Sequence, residues 1–510
     1  MEDGGWAWLL PPLIVFAVRV ASDRLPLGLE ALVATGFVTI VARRPPRFLL
    51  ALVALLPFQQ FVLAFAHRVG VPDRIVRDAG LWKEGVVAGC VAAALLTWRD
   101  GRHGIDVLDV LGLFYVGIAA LYNRFPRLFV HPTGPLAVGP PTAASVVNTA
   151  FRNDTLFIVL FLAVRRLPLD RQWRDRFLVT ILATAAVVAA AGLVELAFSG
   201  EWNHLVVRTL QVPTYRHDVL DSTTRNPVDI RVYSQIAGRD VLRVGSVFLD
   251  ALGCGFYLVA GLAVGLERTV RRTAGPLLRL TTGMVFLTIL LTQTRAAILA
   301  AVVVVIFSLR SSGARDPVTR ARFALFLAAA VIVVVPLAVK TGLAARATGA
   351  VGGNDVSTQL HFERTKAGVR ALTDVPLGRG LGTGATNGTR FQLAGTITSE
   401  NYYLQVGNET GIVSMAVFVA LVVALNVRLR RRDRSGRPTG ELGWDPNDVL
   451  AAAWRGAFLG LSLSGLLLQV WLDISVAWTV WMGLAVCIGA GQPAGLPVRR
   501  DLYTPTAVRL

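Results

Sequence analysis

Charge is scarce in this 510-residue chain: only 16% of its residues are charged, 54% are hydrophobic, and mean hydropathy is +0.56. A soluble protein carries about 25% charged residues, so a water-soluble globular domain is excluded. Acidic residues are the scarcer sign, with 33 Asp and Glu against 51 Lys and Arg and a formal charge of +18. Such an excess could mark a nucleic-acid binder, but these basic residues sit in short clusters between apolar runs. Arg43 to Arg47, Arg268 to Arg272 and Arg428 to Arg434 are examples, and no nucleic acid is expected as a partner. Cysteine is nearly absent, and Cys90, Cys254 and Cys487 all fall inside apolar runs, which excludes a disulfide framework. The first residues lack a basic stretch and a cleavage site, so the first apolar run reads as a retained span. No His/Cys/Asp spacing suits a metal and no Gly-x-Ser-x-Gly elbow occurs, so neither metal nor cofactor is expected.

What the chain has in abundance is apolar runs long enough to cross about 30 Å of hydrocarbon. They lie near residues 6–21, 25–42, 47–66, 82–98, 105–122, 144–164 and 176–198, then 243–266, 275–293, 295–310, 322–340, 408–428, 450–471 and 473–490. The expected fold is therefore all-α: a polytopic membrane bundle of about fourteen helices with the lipid bilayer as its solvent. The sixth run is interrupted by Arg152, Asn153 and Asp154. If the tail after 490 and the loop from Arg428 to Asp448 are cytoplasmic, alternation puts 43–47, 99–103, 165–175, 267–274 and 311–321 on the same side. Each is arginine-rich, as the positive-inside rule requires. Longer segments at 123–143, 199–242 and 341–407 then face outward. The last lacks a strong element of its own, and a connection that long is usually functional. We divide the chain into N-terminal helices (1–175), a core (176–430) that includes the 341–407 loop with its short helices, and C-terminal helices with a cytoplasmic tail (431–510).

Three polar clusters share the outer face in this topology. One is Arg243, Ser246, Phe248 and Asp250 at the start of the eighth span. The second is Thr292, Gln293, Thr294 and Arg295 between the ninth and tenth. The third is the long loop, from His361, Arg364 and Arg370 through Gly378, Gly380 and Gly382 to Glu400, Asn401, Tyr402 and Gln405. Ionisable residues near a span are costly and are functional candidates by default. Plainer readings stand beside this one. Arg243 and Arg295 could snorkel to headgroups. Asp250, about two turns into its helix, could be held by Arg295. Glu400 and Glu409 could serve a helix N-terminus, and His361 could be an ordinary loop histidine. The glycine series lacks the Lys-Ser/Thr of a phosphate loop and reads as structural turns.

In order along residues 240–425, these motifs resemble the O-antigen ligase and Wzy-type O-antigen polymerase superfamily. Arg243, Ser246, Phe248 and Asp250 resemble its Arg-x-x-Ser-x-Phe-x-Asp stretch, and Thr292-Gln-Thr294-Arg295-Ala296 its Thr-x-Ser-Arg-Gly turn. Pro376, Gly378, Gly380 and Gly382 resemble its Pro-x-Gly-x-Gly-x-Gly segment. Glu400-Asn401-Tyr402-Tyr403-Leu404-Gln405 with Glu409 and Gly411 resembles its last motif. The ligases carry a histidine at the first position of that motif, where this chain has Glu400, which tilts the resemblance towards the polymerase-like branch.

The resemblance implies a glycosyltransferase of the bacterial plasma membrane with its site on the extracytoplasmic face, working without a metal in cell-surface polysaccharide assembly. Its donor would be a glycan on polyprenyl (undecaprenyl) diphosphate, its acceptor another glycan or glycolipid. Arg243 and Arg295 would hold the diphosphate through forked hydrogen bonds, with Arg364 as a third cation. Glu400, or His361 in its place, would take the acceptor proton. Asn401 and Tyr402 would orient the acceptor, and Asp250 and Arg370 complete the expected substrate contacts. The rival reading is a lipid-linked glycan flippase, which needs ionisable groups near the midplane; Arg455 and Asp250 would speak for it.

Overall fold

A computed structural model describes residues 25–98, 104–125, 140–220, 232–236, 239–270, 275–311, 356–384, 399–435 and 446–489. The expected spans at 6–21 and 322–340 lie outside them. The helices are α1 (Leu25–Arg43), α2 (Pro45–Leu55), α3 (Gln59–Arg68), α4 (Asp73–Ala79), α5 (Trp82–Trp98), α6 (Val107–Arg124), α7 (Pro140–Val164) and α8 (Arg171–Ala197). Short helices α9 (Ser199–His204) and α10 (Val212–Asp218) precede a hairpin of β1 (Val232–Ile236) and β2 (Arg239–Arg243). Then come α11 (Ala251–Val270), α12 (Pro276–Leu291), α13 (Arg295–Ser311), α14 (Val356–Asp374), α15 (Tyr402–Ser435), α16 (Pro446–Ser464) and α17 (Ile474–Ile488).

The chain is an all-α polytopic membrane protein. Among the described residues seven helical segments are long and apolar enough to cross a bilayer, from Pro45–Arg68 to Tyr402–Arg430, and four shorter apolar helices accompany them. Two boundaries differ from the sequence reading. The eighth span begins at Ala251, because residues 243–250 form a turn with left-handed Ser246 and Leu249 (φ 50° and 55°). The long loop contains α14, a helix of 19 residues. Its mostly polar composition hides it from a hydropathy reading.

The bundle core is aromatic. Trp481 packs against Phe157 at 4.9 Å between centroids and against Phe161, Phe418, Phe458 and Trp471 at 5.7–6.1 Å, each such pair adding about 0.5–1.5 kcal/mol beyond area burial. Helices α13 and α16 pack closely through Gly456, Gly460 and Ser464, one residue per turn. A Cβ on Gly460 would stand 2.8 Å from the Ala300 carbonyl, and the Ser464 hydroxyl donates to the Ala296 carbonyl at 2.7 Å. Small residues at this spacing are what lets two membrane helices touch by their backbones.

At one end of the bundle, Arg165 pairs with Asp106 and Asp109 at 2.6 and 2.9 Å and Arg166 with Asp109 at 3.0 Å. There the Trp173 indole also donates to the Pro46 carbonyl at 2.7 Å, so two of the arginine-rich loops share that end. The candidate site lies at the other.

Candidate active site

The β hairpin ends in Arg243, and the turn after it is held from below. Glu195, buried near the end of α8, accepts hydrogen bonds on Oε2 from the amides of Gly245 at 2.9 Å and Ser246 at 2.6 Å. The Ser246 hydroxyl donates to the Val188 carbonyl at 2.6 Å. A side chain on Gly192 would strike Val244 at 2.8 Å, so α8 admits the turn only because it carries glycine there. Held this way, the Arg243 guanidinium donates to the Thr292 carbonyl at 3.2 Å and to the Thr294 hydroxyl at 3.1 Å.

Thr292 to Thr294 form the tight turn between α12 and α13, with Gln293 in the left-handed region (φ 52°) and its amide donating to the Leu242 carbonyl at 3.2 Å. Non-glycine residues in that region cost about 1–3 kcal/mol each and gather at functional sites; here Ser246, Leu249 and Gln293 surround one turn pair. Arg295 opens α13 immediately afterwards.

Glu400 immediately precedes Asn401, which caps α15. Its carboxylate meets His361 Nδ1 through one oxygen and the Arg364 guanidinium through the other. His361 and Arg364 stand three residues apart on α14 and therefore on one face. Burial pushes the Glu400 carboxyl up, but the hydrogen bonds and charges of His361 and Arg364 outweigh it and hold the group below the usual glutamate value.

Arg243, Arg295, His361 and Glu400 all line one cavity of about 530 Å³. Its other walls are chiefly apolar, including Leu252, Phe362 and Leu466 to Leu468. Arg364 adjoins it through Glu400. The remaining expected residues stand elsewhere. Asp250 sits just ahead of α11 rather than two turns into it, exposed, with Oδ2 accepting from the Gly253 amide at 2.8 Å. Asn401 Oδ1 accepts from the Leu404 amide and its Nδ2 donates to the Leu466 carbonyl, both at 3.0 Å. Tyr402 is fully buried, its hydroxyl donating to Asp154 at 3.3 Å. Arg370 is exposed on another face of α14.

The glycine series is structural, as its lack of a phosphate-loop lysine suggests. Gly378, Gly380 and Gly382 have φ of 80°, 104° and 84°, and their loop wraps a break in α15 at Gly411 (φ 89°). The Arg379 and Gly380 amides donate to the Asn408 and Glu409 carbonyls at 2.7 and 2.9 Å, and Ile412 to the Pro376 carbonyl at 2.9 Å. Glu409 is buried and accepts from the Gly384 amide at 2.9 Å. Glu195 escaped the sequence reading, and Glu409, read there as an acid serving a helix N-terminus, is instead buried against the glycine loop. An isolated acid inside an apolar run was the available signal.

Residues 280–434 match the family model described as O-antigen ligase. This segment is similar to an O-antigen ligase domain. It contains Arg295, His361, Arg364, Glu400 and the glycine loop, whereas Glu195 and Arg243 lie ahead of it. No curated protein matches the chain. The helical bundle makes the chain a multi-pass membrane protein, and the match to the O-antigen ligase model supports a broadly glycosyltransferase-like enzyme. Among the described residues no cluster of three or more His, Cys, Asp or Glu is placed to hold a metal ion.

Proposed function

We propose that the chain transfers a glycan from a polyprenyl diphosphate carrier to a hydroxyl of an acceptor glycan, on the extracytoplasmic face of the bacterial plasma membrane. The observation that carries this reading is the cavity itself. Two arginines from separate elements and a Glu–His pair border a space whose other walls are mainly apolar, which suits a substrate that is part diphosphate and part lipid.

In the reaction, the acceptor oxygen bonds to the anomeric carbon while the bond from that carbon to the diphosphate oxygen breaks. The diphosphate leaves with the bonding pair, and Arg243 and Arg295 stabilise its charge as pre-placed donors. The acceptor proton passes to the Glu400–His361 pair. Glu400 already accepts from Arg364 and His361, and a carboxyl held low is a weak base. His361 is therefore the better proton acceptor, oriented through Nδ1 by Glu400 and presenting Nε2.

Losing one diphosphate-binding arginine should cost about 2–4 kcal/mol of transition-state stabilisation, or roughly 30- to 1000-fold in rate. Glycan transfer in vitro from a synthetic lipid diphosphate tests it: full activity in both Arg243→Ala and Arg295→Ala overturns the assignment. A wild-type rate in His361→Ala would return the base role to Glu400. A second reading, movement of the lipid-linked glycan without covalent transfer, draws on the Asp154 and Glu409 carboxyls that meet inside the bundle. Transport in liposomes by a variant inactive in transfer would favour it.

A further inference from the structure

The chain has a second cavity, of about 500 Å³, between α15 and α16. It does not belong to the catalytic reading. Val419, Val423 and Val427 on α15 and Leu459, Leu463 and Leu466 on or just beyond α16 form its walls, and Arg430 and Arg455 line it too. Val423, Leu463 and Leu466 are about half exposed, an apolar stripe that in a membrane protein faces lipid.

The two ends of this cleft differ. Leu466 also borders the candidate active site. From there to Arg455 is eleven residues, or about 16 Å at 1.5 Å per residue. That is roughly half of the ~30 Å hydrocarbon core, one leaflet's depth. On the unbroken part of α15 beyond Gly411, Arg430 stands eleven residues, about 16 Å, past Val419, so both arginines lie at the end of the cleft away from the active site and towards the opposite leaflet. The Arg430 side chain is exposed. The Arg455 guanidinium lies over the Phe307 ring at 4.7 Å from the centroid, stacked in a way that fixes its direction beside the cleft.

We propose that this cleft holds one anionic diacyl phospholipid from the leaflet opposite the candidate active site, its phosphate on Arg430 and Arg455 and an acyl chain along the Val419–Val427 stripe. Charge complementarity and length select the occupant. Basic pockets between membrane helices take acidic headgroups, and guanidinium suits phosphate better than ammonium does. An isoprenyl tail descending from the active site would instead set hydrocarbon against two cations.

Native mass spectrometry of the detergent-solubilised full chain tests the site, with phosphatidylglycerol and phosphatidylcholine as the probes. The wild type should retain one phosphatidylglycerol at about fivefold lower lipid concentration than phosphatidylcholine. Arg430→Gln should abolish that preference while Arg430→Lys, which keeps the charge without the fork, retains only part of it. Val423→Trp, which fills the cleft from its lipid side, should lower retention with both arginines intact. Equal retention of the two lipids, a preference unchanged in both Arg430→Gln and Val423→Trp, or displacement of phosphatidylglycerol by dodecaprenyl phosphate at equal concentration would overturn the proposal. None of these results depends on glycan transfer.

Discussion

Replacing Glu195 with alanine should disable the cavity from outside it. The carboxylate accepts from two buried backbone amides, Gly245 at 2.9 Å and Ser246 at 2.6 Å. Each amide left without a partner costs about 1–3 kcal/mol, and Ser246 sits at φ 50°, a conformation that itself costs about 1–3 kcal/mol. The turn would relax, because the contact that holds its strained backbone is gone. Arg243 begins that turn, and a displacement of about 1 Å in a group that positions substrate can cost roughly 100-fold. Glu195→Gln keeps a carbonyl oxygen able to accept from both amides and should stay within about tenfold of wild type. The assay is transfer from a lipid diphosphate donor, with kcat and KM per folded molecule and the thermal midpoint measured beside it. A Glu195→Ala protein with wild-type kcat and KM would refute the idea that this carboxylate seats Arg243.

Gly411→Ala should lower the thermal midpoint and the folded yield, since φ is 89° there and a Cβ would stand 2.9 Å from the Leu377 carbonyl; about 1–2 kcal/mol comes from the backbone alone. Gly460→Leu should separate α13 from α16 and be read as a lower unfolding temperature in detergent, because no side chain fits over Ala300. Arg364→Ala should raise the pH at which the Glu400 carboxyl titrates, followed by 13C NMR of labelled glutamate. Glu400 is held low in part by Arg364, so its charged form is lost as pH falls through the folded value; removing the cation raises that value, and the loss begins at higher pH. A titration that stays in place would show that Arg364 does not hold Glu400 low.

The sequence located the helices well where run length alone decides, as from Leu25 to Val164. It misread residues 243–250 as helix because Val244, Val247, Phe248 and Leu249 are apolar; their burial comes from packing in a turn against α8, not from a span. It expected short helices in the 341–407 loop but not one of 19 residues, because α14 is mostly polar and buries only Gly368, Ala371 and Leu372 among its described side chains. Arg243, Arg295 and Glu400 stood out as charges beside apolar runs. That His361 and Glu400 form one pair is a tertiary fact, joining α14 to the entry of α15. Tyr402 is drawn inward by Asp154, two residues beyond the charged Arg152 that made the sixth run look doubtful.

The order in which the cavity walls occur along the chain bears on biogenesis. Arg243 and the Arg295 turn are synthesised early, Glu400 much later, and Leu466 to Leu468 close the lining near the end. A ribosome-bound intermediate thus carries the two arginines in the bilayer without the Glu–His pair or the final wall. The cavity is complete only once α14, α15 and α16 have been inserted and docked.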